Sequence, residues 1–318
     1  MNLSNHRISI EKIRRAQTVI DPVFLNSPQY NCEPLSEELG ATLTIKVETF
    51  NPIRSFKGRG ADFLISQLRG ETKLMCASAG NFGQAMAYAC RKKGIKLTIY
   101  ASTKANPYKI ERMRSLGAEV ILFGDDFDAS KEEAKKQAAK SGVRMIEDGL
   151  VPETAEGAGT MALELLKTDP FDALLIPLGN GALFNGIARV FKELSPSTKM
   201  VAVQAAGAPA MLDSWKAKKL IANEKIKTIA DGIGVRIPIK EALDDMEGLA
   251  DEGVLVSEES ILRGMRLLHV KAGIVPEPSA AVGIAAMLEN EDKWKDQRVA
   301  TIICGGNLTE TQIKEWLS

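Results

Sequence analysis

Lys57 stands in the run Asn51-Pro52-Ile53-Arg54-Ser55-Phe56-Lys57-Gly58-Arg59-Gly60. Its ε-amine can condense with an aldehyde or take a proton from a carbon acid. A second segment, Gly179-Asn180-Gly181-Ala182-Leu183, follows the apolar run Ala173–Leu178 and precedes an apolar-periodic stretch reaching about Glu193. Glycines there let backbone amides turn toward an anion, and the new helix adds the positive end of its dipole. A tight strand-to-helix turn with no ligand accounts for that segment equally well. Ser78-Ala79-Gly80-Asn81-Phe82-Gly83-Gln84 offers small residues, a hydroxyl and an amide at a helix start, a set suited to a carboxylate or simply to capping by Ser78 or Asn81. Ile302-Ile303-Cys304-Gly305-Gly306-Asn307 again ends an apolar run in glycines, and Cys304 taken alone reads as a buried thiol.

Other chemistries find less support. The dinucleotide fingerprint requires G-x-G-x-x-G and an acidic residue roughly 20 positions on. Here the third glycine comes late, at Gly186, and the next strand candidate ends at Gln204. No G-x-x-x-x-G-K-[ST] loop and no G-x-S-x-G elbow is present. With only His6 and His269 a histidine-rich metal centre is not expected, and Cys32, Cys76, Cys90 and Cys304 form no C-x-x-C pair. Scattered thiols fit a reducing compartment. A lysine amine together with a phosphate cradle is what pyridoxal phosphate needs, being both an aldehyde and a phosphate ester.

The chain that must position these groups has 318 residues, 45% apolar and 26% charged, which is ordinary globular usage. Lysine plus arginine (41) balances aspartate plus glutamate (41), so a nucleic-acid partner is not expected and a small molecule is. No apolar run approaches the roughly 20 residues that span a bilayer, and the start Met1–Arg7 lacks the apolar stretch of a signal peptide. A cytoplasmic location without membrane contact is expected.

From about residue 42 short β-branched runs alternate with longer amphipathic ones, the pattern of an α/β protein with open, mostly parallel sheets covered by helices. The predicted strands are Leu43–Glu48, Lys73–Ala77, Leu97–Ala101, Glu119–Phe123, Val143–Ile146, Ala173–Pro177, Met200–Gln204 and Val299–Cys304. Between them lie helical periods such as Asn81–Lys93, with Met86, Ala89 and Cys90 on one face and Arg91, Lys92 and Lys93 before Gly94. The units from 73 to 145 read as a smaller α/β domain inserted in a larger one formed by 1–72 and 146–318. The polar stretch Glu147–Glu153 reads as the crossover. Four glycine-bearing turns at element ends, one with a lysine, argue for a ligand crevice at the carboxyl edge of a parallel sheet.

Taken in order, these turns resemble the second fold type of pyridoxal-phosphate enzymes, the tryptophan-synthase-β-like family, and within it the serine/threonine dehydratase and serine racemase branch. The likeness runs from about Leu43 to Asn307 and implies a two-domain fold with the cofactor in the interdomain cleft. It implies that Lys57 is the Schiff-base lysine, with Phe56 beside the ring. It makes Gly179, Asn180, Gly181, Ala182 and Leu183 the phosphate loop, with Asn180 and Ala182 replacing two of the family's glycines. Asn81 would bond the phenolic oxygen, Cys304 would sit at the pyridine nitrogen, and Gly232 would let its segment lie against the cofactor. Ser78, Ala79, Gly80, Asn81 and Phe82 would receive the substrate carboxylate, with Glu277 of Pro276-Glu277-Pro278 a candidate lining residue.

The reaction implied is dehydration and deamination of a 3-hydroxy amino acid such as L-threonine or L-serine to a 2-oxo acid and ammonia. Lys57 would remove the α-proton. A neutral thiol at Cys304, unlike a carboxylate, does not favour protonation of the ring, which favours prompt loss of a β-substituent. Ala79 replaces the serine of the branch's racemases, so efficient racemisation is not expected. Departures from the pattern are Phe82, where relatives often carry histidine, and Arg54, either a solvated arginine or a candidate lining residue for an acidic substrate group. No carboxylate lies in Gln204–Ala210, where some relatives bind a divalent cation, and no metal is expected there. The resemblance also implies a homodimer, and no feedback through an appended regulatory domain is expected. Dehydration of phenylserine or hydroxyaspartate, β-replacement, threonine-synthase-like chemistry and a cofactor-binding protein with little turnover are the alternatives.

Overall fold

The run Ala173–Pro177 is buried along its whole length, as a strand covered by helices on both faces must be. The computed structural model of the protein describes residues 6–318, and among these the run is the seventh of ten strands. The strands are β1 (Gln29–Asn31), β2 (Thr42–Val47), β3 (Lys73–Ala77), β4 (Lys96–Ala101), β5 (Glu119–Leu122), β6 (Arg144–Ile146), β7 (Ala173–Pro177), β8 (Lys199–Ala205), β9 (Glu252–Val256) and β10 (Arg298–Ile303). They form a six-stranded sheet ordered β1-β2-β10-β7-β8-β9 and a four-stranded sheet ordered β5-β4-β3-β6. Every pairing is parallel except β1 with β2. The α/β class with mostly parallel sheets is therefore as expected.

Each of the eight predicted strands lies within a residue of its observed limits. Reading the sequence missed β1 and β9. Both are edge strands, partly exposed, and neither carries the continuous apolar run that marks the buried ones. The Met1–Asn5 start, read above for a leader, lies outside the described residues. Among the described residues no helix is long and apolar enough to cross a membrane.

Three helices fix the frame around Lys57. The helix Pro152–Leu165 lies between the Lys57–Gln67 helix and the Ala182–Leu194 helix, and its backbone touches both. A Cβ on Gly60 would fall 2.5 Å from the Thr154 carbonyl oxygen, and one on Gly186 would collide with the Ala155 carbonyl oxygen. Glycine at these two positions is what lets the backbones approach. The core beside the four-stranded sheet also draws in Ala16, Phe24, Ile53, Phe63 and Leu64, which come from outside residues 73–145.

Below this frame lies a fully buried ion cluster. The Arg59 guanidinium donates to both oxygens of Glu48, from Nε at 2.8 Å and Nη2 at 2.8 Å. It also donates to both oxygens of Glu164, at 2.6 and 3.0 Å, and to Thr160 Oγ1 at 2.9 Å. Lys46 Nζ completes the set 2.7 Å from Glu164 Oε2. Two cations and two carboxylates thus balance in a dry interior, where an unpaired charge is costly. Arg59→Met leaves two buried carboxylates facing one lysine and is expected to cost about 3–5 kcal/mol in urea denaturation; a loss below about 1 kcal/mol would show that the cluster does not hold the helix.

Candidate active site

The carboxyl ends of the strands place the chemistry. After β7 the chain turns at Gly179–Gly181 into the Ala182–Leu194 helix, with Gly181 at φ +86° and no side-chain cap. Its first amides are left without intrahelical acceptors and suit an anion. After β3, Ser78 Oγ accepts from the backbone amides of Gly80 (3.2 Å) and Gly83 (2.9 Å), which shapes the turn entering the Asn81–Lys93 helix. After β2, Asn51 Nδ2 donates to the carbonyls of Glu48 (2.9 Å) and Ser55 (3.2 Å), folding the loop back so that Lys57 opens its helix. β10 runs directly into Cys304.

These ends surround a cavity of about 350 Å³, within the range of small-molecule sites. Phe56, Lys57, Ser78, Ala79, Gly80, Asn81, Phe82, Gly179, Asn180, Gly181, Ala182, Leu183, Gly232, Glu277 and Cys304 all line it. Arg54 does not. It is exposed on a turn at φ +50°, with its carbonyl accepting from the Gly306 amide, so of its two readings the solvated arginine holds and the lining residue is corrected.

Lys57 Nζ donates to Asp148 Oδ2 at 2.6 Å and lies 4.8 Å from the Phe56 ring centroid and 6.0 Å from that of Phe82. Asn81 is oriented from both ends: its Nδ2 donates to Glu277 Oε2 at 2.7 Å, and its Oδ1 accepts from Asn307 Nδ2 at 2.9 Å. Lys109, from the Pro107–Ser115 helix, reaches Asp231 Oδ2 at 2.6 Å and Glu277 Oε1 at 3.4 Å. Burial opposes the Lys109 ammonium, but Glu277 and Asp231 outweigh it and hold its pKa above the ordinary lysine value. Burial raises the Glu277 carboxyl, with Asp231 adding to the rise against Lys109. Burial likewise pushes the Cys304 thiol well up, so it stays protonated.

Lys109, Asp148, Asp231 and Ser279 are lining residues that reading the sequence did not single out for chemistry. Lys109, Asp148 and Asp231 each find a partner far along the chain, whereas Ser279 Oγ is buried with no hydrogen-bond partner. Among the described residues no group of three or more His, Cys, Asp or Glu is arranged to hold a metal ion. Gln204 Oε1 accepts from the Leu212 amide. An amine, an anion cradle at an uncapped helix start, a neutral thiol and an unsatisfied hydroxyl in one cavity fit a group that is both an aldehyde and a phosphate.

Comparison with known proteins agrees with this donor set. The chain is 34% identical over 310 residues to the L-threonine ammonia-lyase of Thermotoga maritima, covering 96% of this chain and 77% of that one. It is 30% identical over 316 residues to the catabolic L-threonine dehydratase TdcB of Staphylococcus aureus, covering 97% and 91%. Its fold superposes on maize serine racemase with a TM-score of 0.91 at 27% identity, covering 98% and 97%. On threonine deaminase isoform 2 from Solanum lycopersicum the TM-score is 0.88 at 29% identity, covering 96% and 93%. The pyridoxal-phosphate dependent enzyme family matches residues 20–305, and the chain belongs to that family.

Proposed function

We propose that the protein eliminates the β-hydroxyl of a 3-hydroxy amino acid such as L-threonine or L-serine, releasing a 2-oxo acid and ammonia. The observation that carries the reading is that Lys57 and the Gly179–Leu183 turn, more than a hundred residues apart, line one cavity. Relatives named for threonine deamination support it.

When bound, pyridoxal phosphate supplies the electron sink that makes the α-proton acidic. Lys57 would anchor it, and its amine, once displaced by the substrate's own amine, would be placed to take that proton. The amides of Ala182 and Leu183, with the Gly179–Gly181 backbone, would hold the phosphate without a basic side chain. Asn81, its orientation fixed by Glu277 and Asn307, is the donor for the phenolic oxygen. Phe56 would lie beside the ring, and Gly232, where a Cβ would fall 2.7 Å from Ser279 Oγ, would let its segment approach it. Cys304 would face the cofactor as a neutral thiol, which would not favour protonation of the ring and so would favour loss of a β-substituent. Ser78, Gly80 and the following amides receive the substrate carboxylate, and buried Phe82 keeps water from it. Ala79 offers no proton on the face opposite Lys57.

We read residues 73–145 as the smaller unit of the two, and the protein as a cytoplasmic homodimer, serine being accepted with threonine.

The loaded protein is expected to release ammonia and 2-oxobutyrate from L-threonine, and Lys57→Ala to lower kcat by at least roughly 100-fold. A coloured protein that releases no ammonia from threonine or serine contradicts the reading. L-serine left after partial turnover is expected to remain L by chiral chromatography; D-serine accumulating as fast as ammonia argues against the role given to Ala79. Cys304 is expected to resist iodoacetamide at mildly alkaline pH in the folded protein, since its thiolate is scarce; rapid alkylation found by peptide mass spectrometry would remove the neutral thiol from the account.

A further inference from the structure

A second cavity, of about 190 Å³, opens beside the first, and Ala77, Phe127, Asp148, Asn180, Ile226, Gly234 and Val235 line both. Threonine branches at Cβ and reaches only two heavy atoms out from Cα, too short to occupy both spaces, whereas an unbranched side chain reaches further. The joined volume is acidic in a particular way. In the first cavity Lys57 pairs with Asp148, and Lys109 pairs with Asp231 and Glu277. In the second, Arg236 pairs with Asp128, Lys131 pairs with Glu147, and Asp126 is spent on the Ala129 amide. Every lysine and arginine that lines either cavity already faces a carboxylate.

Asp148 stands at the junction. Its side chain is 15% exposed, one oxygen binds Lys57, and the other has no hydrogen-bond partner. Lys57 is the lysine that the cofactor engages, so its ammonium is not a permanent partner for this carboxylate. A second carboxylate on a substrate would find no free cation here and would be desolvated unpaired, whereas a cation would meet Asp148 in a confined, poorly hydrated space.

We propose that the second cavity is a side-chain subsite and that Asp148 selects amino acids carrying a cationic group beyond Cβ. The substrate class is a 3-hydroxy amino acid with an ammonium-bearing side chain, and dicarboxylic amino acids are rejected. The inference rests on reading this cavity as the amino-acid site of the function proposed above.

Three amino acids without a β-leaving group separate charge from size: L-2,4-diaminobutyrate, its near-isostere L-norvaline, and L-glutamate. Isothermal titration of the holoenzyme is expected to give a Kd for diaminobutyrate at least about tenfold below those of the other two, a difference of about 1.4 kcal/mol. Asp148→Asn is expected to bring diaminobutyrate and norvaline within about threefold of each other, a gap well under one tenfold step. Ile237→Trp, at an exposed position lining only the second cavity, is expected to weaken diaminobutyrate and norvaline alike while serine still binds. Equal Kd values for the three ligands, or tighter binding of glutamate, overturn the inference. So does an undiminished charge preference in Asp148→Asn, or long ligands unaffected by Ile237→Trp. Selective binding without ammonia release from threonine or serine would overturn the elimination reading and leave the charge selection at Asp148 standing; ammonia release with unselective binding would do the reverse.

Discussion

The grip of Arg59 on Glu48 and Glu164 is the interaction on which the site depends. Glu48 follows β2 and Glu164 lies near the end of the Pro152–Leu165 helix. The guanidinium therefore ties the start of the lysine helix to a sheet and to a neighbouring helix at once. Its two bidentate contacts are directional, so the helix is fixed in rotation as well as in place. Lys57 is two residues away and inherits that precision. Because the Pro152–Leu165 helix also meets Gly186, the same element sets the distance between the amine and the turn at Gly179–Leu183.

Charge outside that cluster serves a different purpose. Lys109 stretches from a helix next to the four-stranded sheet to Asp231 and Glu277, which belong to segments packed with the six-stranded one. Glu277 in turn holds Asn81, whose other end is held by Asn307. The two sheets are thus joined through the wall of the cavity by charge-assisted bonds centred on the buried Lys109 and Glu277 rather than by apolar contact alone. Any ligand in the cavity sits against this chain of polar groups, so its binding and the relation between the sheets are linked.

Much of this was legible in the sequence because buried parallel strands announce themselves. Ala173–Leu178 and Val299–Cys304, the latter broken only by Thr301, are apolar runs followed at once by glycines, and several such turns at the carboxyl ends of parallel strands together mark a ligand crevice. β9, with Glu252 and Gly253 in a half-exposed edge strand, lacks that signature. Asp148 and Lys109 were invisible for another reason: their meaning lies in partners 91 and 122 positions away, and no local pattern encodes such a distance. Arg54 misled because a charge beside a functional lysine looks purposeful, whereas the backbone there turns through the left-handed region and sends the side chain outward. The buried core of the four-stranded sheet, completed by Phe24 and Phe63, likewise ignores sequence boundaries.

The claim that Lys57 is the covalent anchor is tested most directly by borohydride reduction of the protein loaded with pyridoxal phosphate, followed by protease digestion and mass mapping. A phosphopyridoxyl adduct confined to the peptide carrying Lys57 is the expected result. An adduct on Lys109 or on surface lysines, with the Lys57 peptide unmodified, would contradict the account.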